Sequence, residues 1–354
     1  MKNILIACLL ISTLFACQKE STELTTNIND RFWLKHKGAE MPIVVEGNAT
    51  SKTFVILLHG GPGGNSVFYN RQATDFSDKI EQEVAMVYYD QRAAGSARGN
   101  LDESTLTVAQ LVEDLEKLVE LLHLRYGEDI KIVLAGNSWG GFLGFAFLVK
   151  DNNQDKVAAW IEIDGINDYE LNLKFAIAEM RTVANQMIAE NVLVDEWSNV
   201  LDRLSVYDTA TVSVADRGKV YDVIDRAEFL LRSGGQVKGR TVSGTEFDAR
   251  FKDNYNVMTR LSHKFSSAQQ VRRDAYTVKL IPQLRKLTLP TLFIWGEYDV
   301  RDPIAEAELA YEQMSTPESQ KEIVIIEAAD HYVFVRQPEK VADTMIEFIQ
   351  EHMQ

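Results

Sequence analysis

The chain has 354 residues, 45% hydrophobic and 25% charged, enough apolar material for a large core without disulfide staples. Its formal net charge of −15 argues against a nucleic-acid partner, since such binding needs Lys and Arg clustered on one face. Cys8 and Cys17 are the only cysteines, so a fold that begins after them has no disulfide, redox pair or cysteine nucleophile.

Residues 1–17 read as a secretion signal. Lys2 supplies the positive start, and Ile4 to Phe15 form an apolar run too short to span a bilayer. Leu14-Phe15-Ala16-Cys17 resembles a bacterial lipobox, in which cleavage leaves Cys17 as a lipid-carrying first residue. Several acyl chains on one residue make a stable membrane anchor. Gln18-Lys19-Glu20 follows, with no Asp directly after the cysteine. That resembles lipoproteins of the outer membrane, and the short tag some Gram-negative groups use for surface display. The expected location is the bacterial cell envelope, lipid-anchored. Residues 18–30 are polar and read as a tether.

The fold is expected from residue 31. Met41 to Glu46 reads as a strand. Thr53 to Leu58 and Val84 to Tyr89 are almost continuously apolar, the mark of strands buried on both faces. Leu111, Leu115, Leu118 and Leu122 have helical spacing. Ile130 to Ala135 reads as a strand, Gly141 to Leu148 as a buried helix, and Val157 to Ile163 as a further strand. Strands alternating with helices imply a parallel sheet with right-handed crossovers. From Tyr169 to Thr277 the pattern turns helical. Phe175, Met180, Val183 and Met187 form one apolar stripe; Val220, Val223, Ile224 and Ala227 form another. The rhythm resumes with strands at Thr291 to Trp295 and Glu322 to Ile326, then an amphipathic helix from Val341 to Met353. The predicted architecture is one doubly wound α/β domain, residues 31–165 and 281–354, interrupted by a helical cap at 166–280.

Gly136-Asn137-Ser138-Trp139-Gly140 fits G-x-S-x-G between a strand and a helix. A serine on so sharp a turn has an exposed hydroxyl, and the flanking glycines leave room for the turn. A serine nucleophile needs a base, and the base an orienting acid. His331 and Asp299 fall in the loops after the last two strands, where open α/β sheets build their sites. Asp302 is the rival acid; Glu297 reads as a solvated charge. His36, His123, His263 and His352 read as surface residues. The loop from His59 to Gly64 can aim backbone N–H groups at a developing oxyanion. One donor is expected from Gly61 or Gly60, the other from the N–H of Trp139, with His59 holding the loop. A phosphate cradle is excluded, because no Gly-Lys-Ser/Thr follows. No motif calls for a metal or a cofactor.

His59 to Gly64, Tyr89-Asp90-Gln91-Arg92-Ala93-Ala94-Gly95-Ser96, and Gly136 to Gly141 together resemble the prolyl aminopeptidase (proline iminopeptidase) branch of α/β-hydrolase serine peptidases. That branch carries H-G-G-P-G, D-Q-R-G-x-G-x-S and G-x-S-W-G, and a helical cap before its acid. The chain departs from it at Ala93, Ala97, Asn137 and Asp330. The resemblance implies an α/β-hydrolase fold, a Ser138–His331–Asp299 triad and an acyl-enzyme. The implied reaction releases N-terminal proline or another small residue from a peptide. Hydrolysis of a carboxylester or lactone is the alternative, and a surface binding protein on a hydrolase scaffold the second. In the family, cap acids hold the substrate's free amino group. Glu170, Glu179, Asp195-Glu196-Trp197 and Glu228 are the candidates here. Asp90 and Arg92 are expected to pin the loop beside the oxyanion turn.

Overall fold

A computed structural model describes residues 22–66, 74–99, 102–240 and 267–353. The signal segment 1–17 with Cys17, the first part of the tether, His263 and the 241–266 part of the cap lie outside the described residues.

The strands are β1 (Ile28–His36), β2 (Ala39–Gly47), β3 (Thr53–Leu58), β4 (Ala85–Tyr89), β5 (Arg98–Gly99), β6 (Lys131–Asn137), β7 (Ala159–Ile163), β8 (Thr291–Gly296) and β9 (Lys321–Ile326). They form one sheet in the order β1-β2-β4-β3-β6-β7-β8-β9, with β5 beside β2. From β4 to β9 all neighbours run parallel, while β1–β2 and β2–β4 are antiparallel. The crossovers are helical: α1 (Thr74–Ile80), α2 (Val108–Tyr126) and α3 (Trp139–Leu148), then α8 (Ala305–Gln313), α9 (Val333–Arg336) and α10 (Pro338–His352).

Burial on both faces explains the continuous apolar runs. In β3, Phe54, Ile56 and Leu58 pack with Leu115, Leu118 and Phe142 of α2 and α3. Val55 and Leu57 point the other way, toward Phe76 of α1 and Met345 and Phe348 of α10. Each fully buried side chain of this size contributes about 1.5–3 kcal/mol.

β1 begins at Ile28, inside the stretch that reads as a tether. Only Ile28 and Leu34 of this strand are buried, so its sequence is mostly the polar, solvent-facing half of an antiparallel edge strand. Leu24 also packs on the core, and Asp30 accepts bonds from Arg125 and Tyr126 of α2.

Between β7 and β8 stand α4 (Tyr169–Ala189), α5 (Val194–Leu204), α6 (Arg217–Ser233) and α7 (267–275). α4, α5 and α6 have a core of their own, including Ile177, Met180, Met187, Trp197, Val220 and Leu231, which Val300 joins from the β8–α8 loop. Phe175 is only partly buried; Leu173 and Ile177 complete the α4 stripe instead, at the helical spacing. No helix among the described residues is long and apolar enough to cross a membrane.

Candidate active site

Ser138 joins β6 to α3 with φ 54° and ψ −119°, a backbone that a side chain rarely adopts. The turn exists because its neighbours are glycines. A Cβ on Gly136 would run into the Gly140 carbonyl, and one on Gly140 into the Leu58 carbonyl of β3. The Ser138 N–H donates to Ile163 O at 3.1 Å, which ties the turn to the end of β7.

His331 lies between β9 and α9, and Asp299 between β8 and α8. His331 Nδ1 is 2.8 Å from Asp299 Oδ2. The other oxygen of Asp299 accepts the backbone N–H groups of Arg301 and Asp302, both at 2.9 Å. One carboxylate therefore shapes its own loop and orients the imidazole. Asp302 does something different. Its Oδ2 accepts the Ser138 hydroxyl at 3.2 Å and stands 3.6 Å from His331 Nε2. Its Oδ1 accepts from Asn172 of α4 at 2.9 Å. The two sequence candidates for the acid thus occupy opposite edges of the ring: Asp299 at Nδ1, Asp302 at Nε2. Among the described residues, Ser138 Oγ donates to Asp302 rather than to His331.

These groups are buried together, so their charges matter. Burial pushes the Asp302 carboxyl up to about 6; nearby His331 opposes that rise and Asp299 adds to it. Burial disfavours charge on His331, yet Asp299 and Asp302 outweigh it and raise its pKa well above the usual value. Asp164, behind them, is raised strongly by burial and by Asp299, and its Oδ1 accepts the Gly296 N–H at 2.9 Å. Asp164, Asp299 and His331 each offer an atom within 4.8 Å of the others. Two of these three residues, Asp299 and His331, are hydrogen-bonded to each other.

Gly60 packs directly on the elbow: a Cβ there would sit 3.3 Å from Ser138 Cβ. His59 holds this loop. Its Nδ1 bonds the Gly60 carbonyl at 2.8 Å and its Nε2 accepts the Gln91 N–H at 3.1 Å, which fixes the neutral Nδ1–H tautomer. The Gln91 side chain donates to His59 O at 3.2 Å and accepts the Trp139 indole at 2.9 Å. One glutamine thus links all three sequence motifs. Trp139 is fully buried, and its backbone N–H opens the first turn of α3, where no intrahelical partner exists. Asp90 caps the Ser66 and Ser96 N–H groups at 2.8 and 2.6 Å. Arg92 makes a fork to Asp114, both bonds 2.7 Å, and also bonds the His36 and Lys37 carbonyls. His36 is itself 2.7 Å from Asp114, so it belongs to this network rather than to open surface.

Ser138, Asp302, His331, Gly60 and Gly61 line a cavity of about 630 Å³, the size of a small-molecule site. Its cap wall carries Arg217, Tyr221, Arg272 and Tyr276. Glu170, Glu179, Asp195, Glu196, Trp197 and Glu228 do not line it. Glu170 pairs with Lys174 and Lys279, Glu196 with Arg226, and Glu228 with Arg301, while Trp197 lies in the cap core. Glu297 accepts the Ala328 N–H outside the cavity. Sequence reasoning missed Gln91, Asn172, Arg217 and Arg272. Gln91 sits inside a quoted motif; the others carry no local signal.

A family model for the alpha/beta hydrolase fold matches residues 53–338. The chain is 22% identical to "Probable aminopeptidase YbaC" of Bacillus subtilis, covering 88% of this chain and 93% of the relative. It is 24% identical to a proline iminopeptidase of Saccharolobus solfataricus, covering 84% of each. Among solved structures, a proline iminopeptidase-related protein of Thermus thermophilus superposes with a TM-score of 0.58 at 17% identity. That match covers 92% of this chain and 98% of the other. An esterase of Thermogutta terrifontis superposes at 0.54 and 20% identity, covering 92% of this chain and 100% of the other. At such identities the structural likeness concerns the fold alone.

Proposed function

The chain belongs to the alpha/beta hydrolase fold family, and from that premise we propose that it is a serine hydrolase releasing the N-terminal residue of short peptides. Ser138 is the nucleophile, His331 the general base and Asp299 the group that orients it. His331 Nε2 takes the hydroxyl proton as Oγ attacks the carbonyl carbon, then gives it to the leaving amine. Water repeats the attack, with the same histidine as base, and frees the acyl group. The N–H groups of Trp139 and of Gly60 or Gly61 receive the oxyanion. The observation that carries the reading is the Asp299–His331 bond of 2.8 Å beside a strained serine turn that opens into a cavity.

Asp302 supports the peptidase half of the proposal. The α-amino nitrogen of an N-terminal residue is two bonds from the carbonyl carbon under attack. A carboxylate 3.2 Å from the attacking oxygen is within reach of that ammonium. Docking there compensates Asp302, withdraws its support from the imidazolium and frees His331 Nε2 for the serine proton. Relatives named aminopeptidase and proline iminopeptidase lend support. The second reading, carboxylester hydrolysis, draws on the cap acids' absence from the cavity lining. Rates with prolyl β-naphthylamide, its N-acetyl derivative and a short acyl ester separate the two. Dependence on a free amine supports the peptidase; indifference to acetylation overturns it.

The N-terminal residues extend the proposal to secretion and lipid attachment at Cys17 in the bacterial envelope. Labelled palmitate incorporated into the wild type and lost in Cys17→Ser is the expected result; equal labelling of both contradicts it.

A further inference from the structure

We infer that Arg217 and Arg272 form a subsite for a carboxylate of the substrate, so that a short peptide with a free C-terminus is preferred. The inference rests on the peptidase reading above and adds the other end of the substrate.

Two observations set these arginines apart from the surface charges. In a chain of net charge −15, most cations described here have acidic partners. Arg301, which also lines the cavity, is held by Glu228 at 2.8 Å and Asp225 at 2.6 Å. Among the described residues, neither Arg217 nor Arg272 has a carboxylate within ion-pair distance. Arg217 opens α6 inside a cage of phenol rings, its guanidinium carbon 4.8 Å from the ring centre of Tyr169, 4.6 Å from Tyr221 and 5.3 Å from Tyr276. It donates to the hydroxyls of Tyr221 and Tyr276, which leaves three of its five N–H groups without a partner among the described residues. Arg272 of α7 reaches the Gly61 carbonyl at 3.4 Å, and its Nε is buried with no partner.

A cage of aromatic faces steadies a cation without neutralising it. That arrangement suits a guanidinium kept for an incoming anion, and its planar fork matches a carboxylate. The cavity is also polarised. Among the described lining residues Asp302 is the only acid and lies against Ser138, while the two arginines without a described carboxylate partner stand on the cap wall. A short peptide is polarised the same way, its ammonium beside the scissile carbonyl and its carboxylate a few bonds beyond. A C-terminal amide or a longer chain has no charge to offer these arginines at that position.

The test compares kcat/KM for prolyl-alanine and prolyl-alaninamide in the wild type, Arg217→Gln, Arg272→Gln and Arg217→Lys. The wild type is expected to favour the free acid by about ten- to hundredfold, the range of a charge-assisted hydrogen bond. The glutamine variants lose most of that ratio, and Arg217→Lys, which keeps the charge, retains part of it. Equal rates on acid and amide in the wild type overturn the subsite, as does a ratio untouched in both glutamine variants. If a glutamine variant fails to fold, the wild-type ratio still decides. If neither dipeptide is cleaved, the peptidase reading fails, and calorimetry with Ser138→Ala tests the subsite alone. Tighter binding of acetyl-alanine than of acetyl-alaninamide upholds it; equal binding overturns it.

Discussion

The two walls of the cavity are built by different means. On the sheet side the groups around Ser138 hold one another: Asp299 holds His331, His59 holds Gly60, and Gln91 joins His59 to Trp139. On the cap side, Arg217 and Arg272 have no carboxylate partner among the described residues, and they stand between helices whose packing needs only an apolar stripe. The contrast separates two demands. The proposed proton transfer between Ser138 and His331 requires groups fixed to a fraction of an ångström, which a rigid sheet and short loops supply. Choosing a substrate requires charge and shape, which a cap helix can vary without disturbing the core.

Substitutions can break this contrast wall by wall. Ser138→Ala should lower kcat by about 10⁴-fold or more, since losing the nucleophile leaves only the oxyanion hole and binding. Retained turnover would refute the sheet-side account. Asp299→Asn should cost close to as much, about 10⁴-fold, through the wrong imidazole tautomer. Asp302→Asn should instead reduce turnover of free-amine substrates far more than of esters. If the two substitutions act alike on esters, the division of labour between the acids is wrong. On the cap side, Met180→Ala empties part of a separate core and should cost about 2–5 kcal/mol in chemical denaturation. A smaller stability loss, about 1–3 kcal/mol, is expected for Gln91→Ala, which strands the buried Trp139 indole donor. Unchanged melting in either variant would show that the contact contributes little.

The smallest effect is electrostatic. Asp302 and Asp299 raise the His331 pKa, so the imidazole stays protonated to higher pH than usual. Removing the Asp302 charge lowers that pKa, and the basic form then appears at lower pH. The acid limb of the ester kcat/KM–pH profile should therefore move to lower pH in Asp302→Asn. A limb that stays in place, or moves up, contradicts the coupling.

Much of the sheet side was legible in the sequence because its constraints are local. β3, β4 and β8 are buried on both faces and read as almost continuously apolar runs, and β7 does so apart from the buried Glu162. The turn at Ser138 needs Gly136 and Gly140 for steric reasons that leave a pattern. β1 stayed hidden because an edge strand with mostly solvated side chains looks like a polar tether. The position of Asp302 was invisible for another reason: loop placement alone brings both acids near His331, and only coordinates tell which nitrogen each one meets. Arg217 and Arg272 left no trace, since an arginine on a cap helix looks the same whether it faces solvent or a cavity. The cap acids differ in the opposite sense. Glu170, Glu196 and Glu228 were candidates through the family resemblance alone, and each has a basic partner.

The central claim is that Ser138 is a nucleophile activated by His331. Mass spectrometry after reaction with a fluorophosphonate probe tests it most directly. The account predicts one modified peptide, the one containing Ser138, in the wild type, and labelling slowed by orders of magnitude in His331→Gln. No adduct on Ser138 in the folded wild type, or equal labelling in both proteins, would contradict it.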